Sequence, residues 1–88
     1  MLVVATKSFN KDILRIKDKK LLKKIDETIQ KIEAAKSFPE IQNLKKMAGA
    51  QNAYRIRIGD YRLGFYFING AVQLTVFASR KEIYKYFP

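Results

Sequence analysis

The fold of this chain is decided by the stretch Tyr54–Ser79, which reads YRIRIGDYRLGFYFINGAVQLTVFAS. Residues 54–58 alternate basic and apolar side chains, which is the period of a half-buried strand. Gly59-Asp60 and Asn69-Gly70 are typical two-residue hairpin loops, and the second is the strongest short hairpin signal in the chain. We therefore predict three antiparallel strands, at residues 54–58, 61–68 and 71–79.

The two turns also fix which residues lie opposite one another across the strands. The predicted cross-strand pairs are Arg57–Arg62, Arg55–Gly64, Arg62–Phe77, Gly64–Thr75 and Tyr66–Gln73. Side chains alternate between the two faces of a pleated strand. The apolar set then forms a core face with Tyr54, Ile56, Ile58, Tyr61, Leu63, Phe65, Phe67, Val72, Leu74, Val76 and Ala78. The other face carries Arg55, Arg57, Arg62, Tyr66, Gln73, Thr75 and Phe77, with a glycine hole at Gly64.

This second face is basic, and two of its arginines are predicted to lie directly opposite each other. Like charges in that position destabilise a sheet by a few tenths to about 1 kcal/mol. A solvated outer face is the simpler interpretation of a single alternating strand. Because three arginines converge across two strands beside a glycine, we instead predict an anion-binding surface.

Composition limits the classes of function. The chain has 88 residues and 18 Lys plus Arg against 8 Asp plus Glu, for a net charge of +10. We expect one domain, residues 1–88, with a partner rich in phosphate or an acidic protein. The absence of cysteine and histidine removes thiolate metal sites, disulfides and the usual general base. We therefore expect no metal, no cofactor and no membrane segment, and a cytoplasmic protein.

The rest of the chain predicts an α+β fold. An N-terminal strand at residues 2–5 precedes a helical hairpin, whose first helix is capped by Thr6 or Ser8 and whose second covers about residues 19–35. The hairpin packs on an antiparallel sheet of about four strands, and a short C-terminal helix closes the chain. The many lysines of the hairpin are interpreted first as a solvated face, with contact to nucleic acid as the alternative.

The C-terminal segment brings two further candidate residues near the basic face. Ile83 and Phe87 are four residues apart, which would turn both inward on a short helix and leave Arg80 and Tyr84 together on another side. Tyr84 can equally be an aromatic at the edge of the core. Without histidine or cysteine, the chemistry available is charge stabilisation, since guanidinium groups bind phosphate oxygens with two hydrogen bonds.

A phosphodiester attacked by a neighbouring 2′-hydroxyl gathers negative charge on its oxygens, so these residue types suit RNA cleavage. The candidate catalytic residues are Arg57, Arg62, Arg80 and Tyr84. The candidate RNA-binding residues are Arg55, Lys45, Lys46, Tyr66, Phe77 and Lys81. Of the aromatics, Tyr66, Phe77 or Tyr84 can stack on an unpaired base.

The order of elements and three motifs resemble the RelE/ParE toxin superfamily of bacterial type II toxin–antitoxin systems, in its RelE-like branch. The motifs are LKKMAG at 44–49, YRIRIGDYR at 54–62 and SRKEIY at 79–84. The resemblance implies a microbial RNase-like fold and a toxin that cuts mRNA in the ribosomal A site by attack of the 2′-hydroxyl, without a metal. It also implies a cognate antitoxin, an acidic and partly disordered segment that folds onto this surface and covers or distorts the arginine groove.

The resemblance further assigns roles to residues. Arg62 would stabilise the transition-state charge, Arg80 would lie near proton donation to the leaving 5′-oxygen, and Tyr84 would orient the substrate. The best-studied relatives carry lysines at the positions of Arg55 and Arg57, and many have histidine at the position of Ser79. Arginine stays protonated, so the proton acceptor is Tyr84, Lys46 or Lys81, or the site works mainly by electrostatics.

Two alternative functions remain open. ParE-like members share the fold but inhibit DNA gyrase by binding it, without nuclease chemistry. The second alternative is that the chain is a catalytically weak relative of the nucleases that binds RNA. The set Arg57, Arg62, Arg80 and Tyr84 favours the nuclease.

Overall fold

A computed structural model describes residues 1–88 and shows one sheet with two helices on one face and a short helix on the other. The α+β fold class is confirmed. The strands are β1 (Leu2–Ala5), β2 (Leu44–Lys46), β3 (Ala53–Ile58), β4 (Tyr61–Ile68) and β5 (Ala71–Ser79). The helices are α1 (Lys7–Leu14), α2 (Lys19–Ala34) and α3 (Ile83–Tyr86), with a 3₁₀ turn at Phe38–Glu40. The sheet has five strands, because residues 44–46 form a short edge strand that the sequence did not predict.

The strand order is β1-β5-β4-β3-β2, with β1 parallel to β5 and every other neighbouring pair antiparallel. The first hairpin has the predicted register, with Arg57 opposite Arg62 and Arg55 opposite Gly64. Its turn has a positive φ only at Gly59 (60°), as a type II′ turn requires. Both Asn69 (53°) and Gly70 (77°) are left-handed, which defines a type I′ turn.

The predicted register of the second hairpin is correct near its turn and wrong farther from it. Tyr66 lies opposite Gln73 as predicted, but the register then shifts and Gly64 lies opposite Val76. Thr75 is the extra residue, and its hydroxyl donates to the carbonyl of Gln73 (2.9 Å). Because side chains alternate along a strand, this one extra residue puts every later side chain of β5 on the face opposite to the predicted one.

The bulge corrects three face assignments. Phe77, predicted on the basic face, lies in the core at 5 % exposure and stacks on Tyr61 with ring centroids 5.3 Å apart. Val76 and Ala78, predicted in the core, instead lie on the other face and pack with α3. Phe77 is therefore not available to stack on a base.

The main core lies between the sheet and the helical hairpin. Thr6 caps α1 by accepting from the Phe9 amide, and Asp18 caps α2 through the amides of Lys20 and Leu21. The buried residues of this cluster are Phe9, Ile25, Ile32, Ala35, Ile41, Ile56, Ile58, Leu63, Phe65, Val72, Leu74 and Phe77. None of the helices has the length and apolar content needed to cross a membrane.

A second, smaller core lies on the opposite face, under α3. It consists of Met47, Ala53, Val76, Ile83 and Phe87. The position of Gly64 beneath it explains the glycine, because a Cβ there would lie 2.6 Å from Val76 Cγ1 and 2.8 Å from Phe87 Cδ2. The predicted glycine hole is thus filled by the Phe87 ring rather than open to a ligand.

Beyond the end of β1, the edge of β5 has no neighbouring strand, and Asp12 on α1 supplies a hydrogen-bond acceptor there. Its Oδ2 accepts a hydrogen bond from the Phe77 amide (2.9 Å), across 65 residues of sequence. We expect Asp12→Leu to lower the free energy of unfolding by about 1–3 kcal/mol, because the amide of a buried residue loses its partner. Chemical denaturation would measure this loss.

Asp12→Asn keeps a carbonyl acceptor and should retain most of the stability. Lys11→Leu, at the neighbouring exposed position of α1, is the control for adding an apolar side chain. An Asp12→Leu protein as stable as wild type would show that the contact contributes nothing.

Candidate functional site

The three arginines of the first hairpin lie on the face opposite the main core. Arg57 and Arg62 are direct cross-strand partners and Arg55 is two residues along β3, so all three point the same way. Arg57 is exposed, whereas Arg55 and Arg62 are half-buried. They line an open depression of about 290 Å³, which we call the arginine trough, made of Asn43, Leu44, Lys45, Arg55, Arg57 and Arg62.

A second depression of about 380 Å³ continues the trough toward the C-terminal helix. The two depressions share Lys45 and Arg55, and the second also reaches Lys46 and Tyr84. Tyr84 is 62 % exposed, on the outer side of α3. The buried Ile83 and Phe87 hold that helix in place, as their spacing predicted. The basic surface is therefore continuous from β2 to Tyr84.

Arg62 is held in place by the turn that precedes it. Its Nη1 donates to the carbonyls of Gly59 (3.0 Å) and Tyr61 (2.9 Å). A guanidinium group has five N–H donors, so those on Nε and Nη2 are left for a ligand. The hairpin thus fixes the direction of the Arg62 charge without using all of its hydrogen-bonding capacity.

The charge of Arg62 is also disfavoured by its surroundings. Partial burial lowers the pKa of Arg62 first, followed by the positive charges of Arg55 and Arg57; Arg80 also lowers it, and Tyr84 acts in the opposite direction. Three of the predicted catalytic residues, Arg57, Arg80 and Tyr84, are therefore close enough to act on the charge of the fourth, Arg62. Arginine nevertheless stays protonated at neutral pH. The folded chain therefore carries an unrelieved like-charge repulsion here, which an anion would reduce.

The sign of this effect follows from linkage. A folded-state pKa below the unfolded one means that the protonated form is less favourable in the folded chain. Stability would rise only as the pH climbs through the lowered pKa toward the unfolded value. The destabilising effect of Arg62 is hence constant across the physiological range, and no pH optimum near neutrality arises from it.

The three remaining candidate residues, Arg80, Lys81 and Tyr66, differ in how far they are exposed and in whether they reach the trough. Arg80 is exposed just after β5, with its amide donating to Asp60 O (2.9 Å), and Lys81 is exposed in the turn that follows. Neither lines the two depressions. Tyr66 is half-buried, with its ring edge-on to Phe87 at 5.0 Å between centroids, so α3 already covers part of it.

Asn43 is a site residue that the sequence analysis missed. It lines the trough in a left-handed conformation (φ 63°), and its carbonyl accepts from the Arg57 amide (3.2 Å). Asparagine tolerates this conformation better than most residues. The only sequence signal was an asparagine just before the apolar Leu44, which is too common to identify a site.

The geometry defines a small α+β protein with a preformed, positively charged trough on its sheet, and comparisons with known proteins give its family. The sequence model described as "ParE toxin of type II toxin-antitoxin system, parDE" matches residues 3–84. The chain is 33 % identical over 89 residues to Toxin RelE3 of Methanocaldococcus jannaschii, with all of both chains covered. The resemblance predicted from the motifs is confirmed: the chain belongs to the RelE/ParE superfamily and is a toxin of a type II toxin–antitoxin system.

Solved structures agree with this assignment. In the RelB–RelE antitoxin–toxin complex from Methanococcus jannaschii, a chain 30 % identical to this one superimposes with a TM-score of 0.79, covering 97 % of this chain and 99 % of that one. The archaeal RelE–RelB complex from Pyrococcus horikoshii OT3 contains a similar chain at 20 % identity and a TM-score of 0.71, covering 90 % and 93 %. At that identity the second likeness supports the fold alone.

Proposed function

We propose that this toxin is a ribosome-dependent endoribonuclease that cleaves mRNA in the A site. The observation that carries the proposal is the arginine trough itself. Three guanidinium groups lie on one face of the sheet, with the Arg57–Arg62 pair directly opposed despite the repulsion that this entails. Sites that stabilise developing charge place preorganised donors in this way.

The proposed reaction needs no chemistry beyond what the chain offers. The 2′-oxygen of one nucleotide attacks the adjacent phosphorus, a bond from phosphorus to the 5′-oxygen breaks, and a 2′,3′-cyclic phosphate remains. The phosphorane-like transition state carries extra negative charge on its nonbridging oxygens. In this proposal Arg57, together with the N–H groups on Nε and Nη2 of Arg62 that the turn leaves free, binds those oxygens.

Two proton transfers complete the reaction. One proton leaves the 2′-hydroxyl and one is added to the 5′-oxygen. Among the open choices for the acceptor, Tyr84 and Lys46 line the depression next to Arg55, whereas Lys81 does not. This favours Tyr84 or Lys46 over Lys81. Arg80 remains the candidate near the leaving oxygen, as the family resemblance implies, and its charge is among those that lower the pKa of Arg62.

The shape of the site supports a role for the ribosome. The trough is an open depression of about 290 Å³, which has room for a phosphate and its sugar but not for a length of mRNA. A nuclease of this shape gains from a second body that holds the strand in an extended, unpaired form. The family resemblance implies that the ribosome supplies it.

An antitoxin is the second proposed partner. The relatives from M. jannaschii and P. horikoshii were crystallised as complexes of antitoxin with toxin. A chain of net charge +10 with an open basic trough suits an acidic, partly disordered segment that folds onto it and keeps RNA out.

A defined translation reaction tests the proposal. With purified ribosomes paused on a known mRNA, we expect the toxin to cut within the A-site codon and to leave naked mRNA largely intact. Primer extension would locate the cut, and mass spectrometry of the fragment would identify the cyclic phosphate. As a control, a tenfold excess of mRNA without ribosomes is added. Cleavage of that free mRNA would indicate contamination by a general RNase.

The matching family is described as that of ParE toxin, which keeps inhibition of DNA gyrase as the second candidate. A parallel supercoiling reaction distinguishes the two. If the mRNA stays whole on the ribosome while gyrase stops supercoiling, the nuclease proposal is wrong and the gyrase function replaces it. If neither reaction responds but short RNAs bind, the chain is an RNA-binding relative without turnover.

A further inference from the structure

A third pocket adjoins the arginine trough and has a different chemical character. It lies between the end of α2 and the loop that precedes β2, with a volume of about 290 Å³. We call it the side pocket; it is lined by Thr28, Lys31, Ala34, Gln42, Asn43 and Arg57, among others. Asn43 and Arg57 line the trough as well. The two pockets therefore adjoin at the edge of the sheet, where Asn43 and Arg57 line both.

The walls of the side pocket are partly apolar. Ala34 and Ala35 at the end of α2 face Ile41 and Ile56 across it. Such walls suit the flat face of an aromatic ring, and the volume is at the small end for ligand sites, which suits one base better than a larger molecule. The arginine trough, in contrast, has Leu44 as its only apolar residue.

The polar groups of the side pocket are those that read base edges. Gln42 and Asn43 are consecutive and exposed, and each amide offers one donor and one acceptor side by side. Amide side chains pair with base edges through two hydrogen bonds. Lys31 and Arg57 add positive charge on either side.

The one acidic residue of the side pocket is already engaged. Glu40 Oε2 accepts from the amides of Lys36 (2.8 Å) and Ser37 (2.9 Å) and from the Ser37 hydroxyl (3.3 Å). That oxygen caps the 3₁₀ turn, whereas Oε1 makes no hydrogen bond. The amides, the basic residues and Oε1 are therefore left to meet a ligand.

We propose that the side pocket binds one unpaired base of the RNA strand, next to the phosphate that lies in the arginine trough. Gln42 and Asn43 would read its edge, and Arg57 would bridge base and phosphate. This inference rests on the proposed nuclease function and adds to it the residues that set nucleotide preference. The backbone supports it: the bond from the Arg57 amide to the Asn43 carbonyl ties the reading loop to the strand that carries the trough.

Two variants change the side pocket with little effect on the fold. Asn43→Gly removes the amide and keeps the left-handed backbone (φ 63°), which glycine adopts readily. Ala34→Leu, at the exposed last residue of α2, fills the pocket with a good helix former. Gln30→Leu, exposed on the same helix outside the pocket, is the matched control.

The experiment is ribosomal cleavage of an mRNA library randomised around the A-site codon, read by sequencing the cut ends. We expect the wild type and Gln30→Leu to prefer one base at a position beside the cut. Asn43→Gly and Ala34→Leu should lose that preference about tenfold, the scale of one amide–base pair. A preference unchanged in both variants, with cleavage intact, would overturn the side-pocket proposal and leave the nuclease function standing.

Should the wild type cut no mRNA at all, the nuclease proposal fails and the pocket needs a separate readout. Titration of ¹⁵N-labelled toxin with 2′-O-methyl RNA trinucleotides supplies it. Shifts at the Gln42 and Asn43 amides that depend on base identity would support a base site independent of catalysis. Shifts that are the same for all four bases, or absent there, would overturn it.

Discussion

Arg62→Gln is expected to lower the rate of A-site cleavage by about 10²-fold or more while the chain remains folded. In other enzymes, removing one fixed hydrogen-bond donor that faces a developing charge lowers the rate by about this factor. Arg62 is the arginine whose direction the turn fixes, and it lies in the field of the other three. Single-turnover cleavage on paused ribosomes would measure the loss, and growth after induction would show its consequence in cells.

The stability of Arg62→Gln decides whether that loss is chemical. Removing the charge relieves repulsion worth a few tenths to about 1 kcal/mol. It also removes bonds to two turn carbonyls, each worth about 1 kcal/mol or less where water can replace them. The sum lies between near zero and a loss of about 1–2 kcal/mol, so we expect the melting temperature to fall by about 10 °C at most.

Arg15→Gln is the matched control, because Arg15 is an exposed arginine at the end of α1, away from the trough. It should keep full activity. An Arg62→Gln protein that cleaves at the wild-type rate would remove the trough from the mechanism. A large loss of melting temperature would instead assign the defect to folding.

Gly64→Ala is the second change expected to have a large effect. Its Cβ would overlap Val76 Cγ1 and the Phe87 ring, at 2.6 and 2.8 Å. Overpacking of this kind costs about 1–3 kcal/mol. Val76 is held in β5, whereas Phe87 follows the short α3, so we expect the Phe87 ring to give way and α3 with its Tyr84 to shift away from the trough. Thermal denaturation and the cleavage reaction would measure both consequences.

A double substitution separates crowding from other causes. Phe87→Leu removes one of the two overlaps over Gly64 and leaves the Val76 contact, so adding Gly64→Ala to it should cost less than in the wild-type background. Non-additivity of this sign is the mark of two groups in direct contact. Additive losses would show that the Phe87 ring does not limit the space over Gly64, and would assign the cost to Val76 Cγ1, the nearer neighbour at 2.6 Å.

The fold and half of the site could be predicted from local sequence signals. Gly59-Asp60 set the register of the first hairpin, and with it the Arg57–Arg62 pair, because a two-residue loop leaves no freedom in the pairing. The short hydrophobic spacing of Ile83 and Phe87 likewise placed the C-terminal helix correctly. Each of these depends on residues close together in the chain.

The errors came from contacts that are distant in sequence. Nothing in the residues around Thr75 marks a bulge; its neighbours alternate as a regular strand would. The bulge coincides with the point where β1 stops pairing with β5, and Asp12 takes over the edge by binding the Phe77 amide. Phe87 over Gly64 is a contact of the same kind, between residues far apart in the chain.

The division of the apolar residues into two unequal cores has a consequence for experiments. The cluster under α3 has 5 buried residues, against 12 in the main one. Opening of the smaller cluster would expose few residues and leave the five strands paired. It should therefore need much less free energy than global unfolding. Circular dichroism would barely register such an event, although the tyrosine beside the trough would be displaced. Preparations that look native by spectroscopy would then contain molecules with Tyr84 displaced, and hydrogen exchange at Ile83–Tyr86 is the observable that would reveal them.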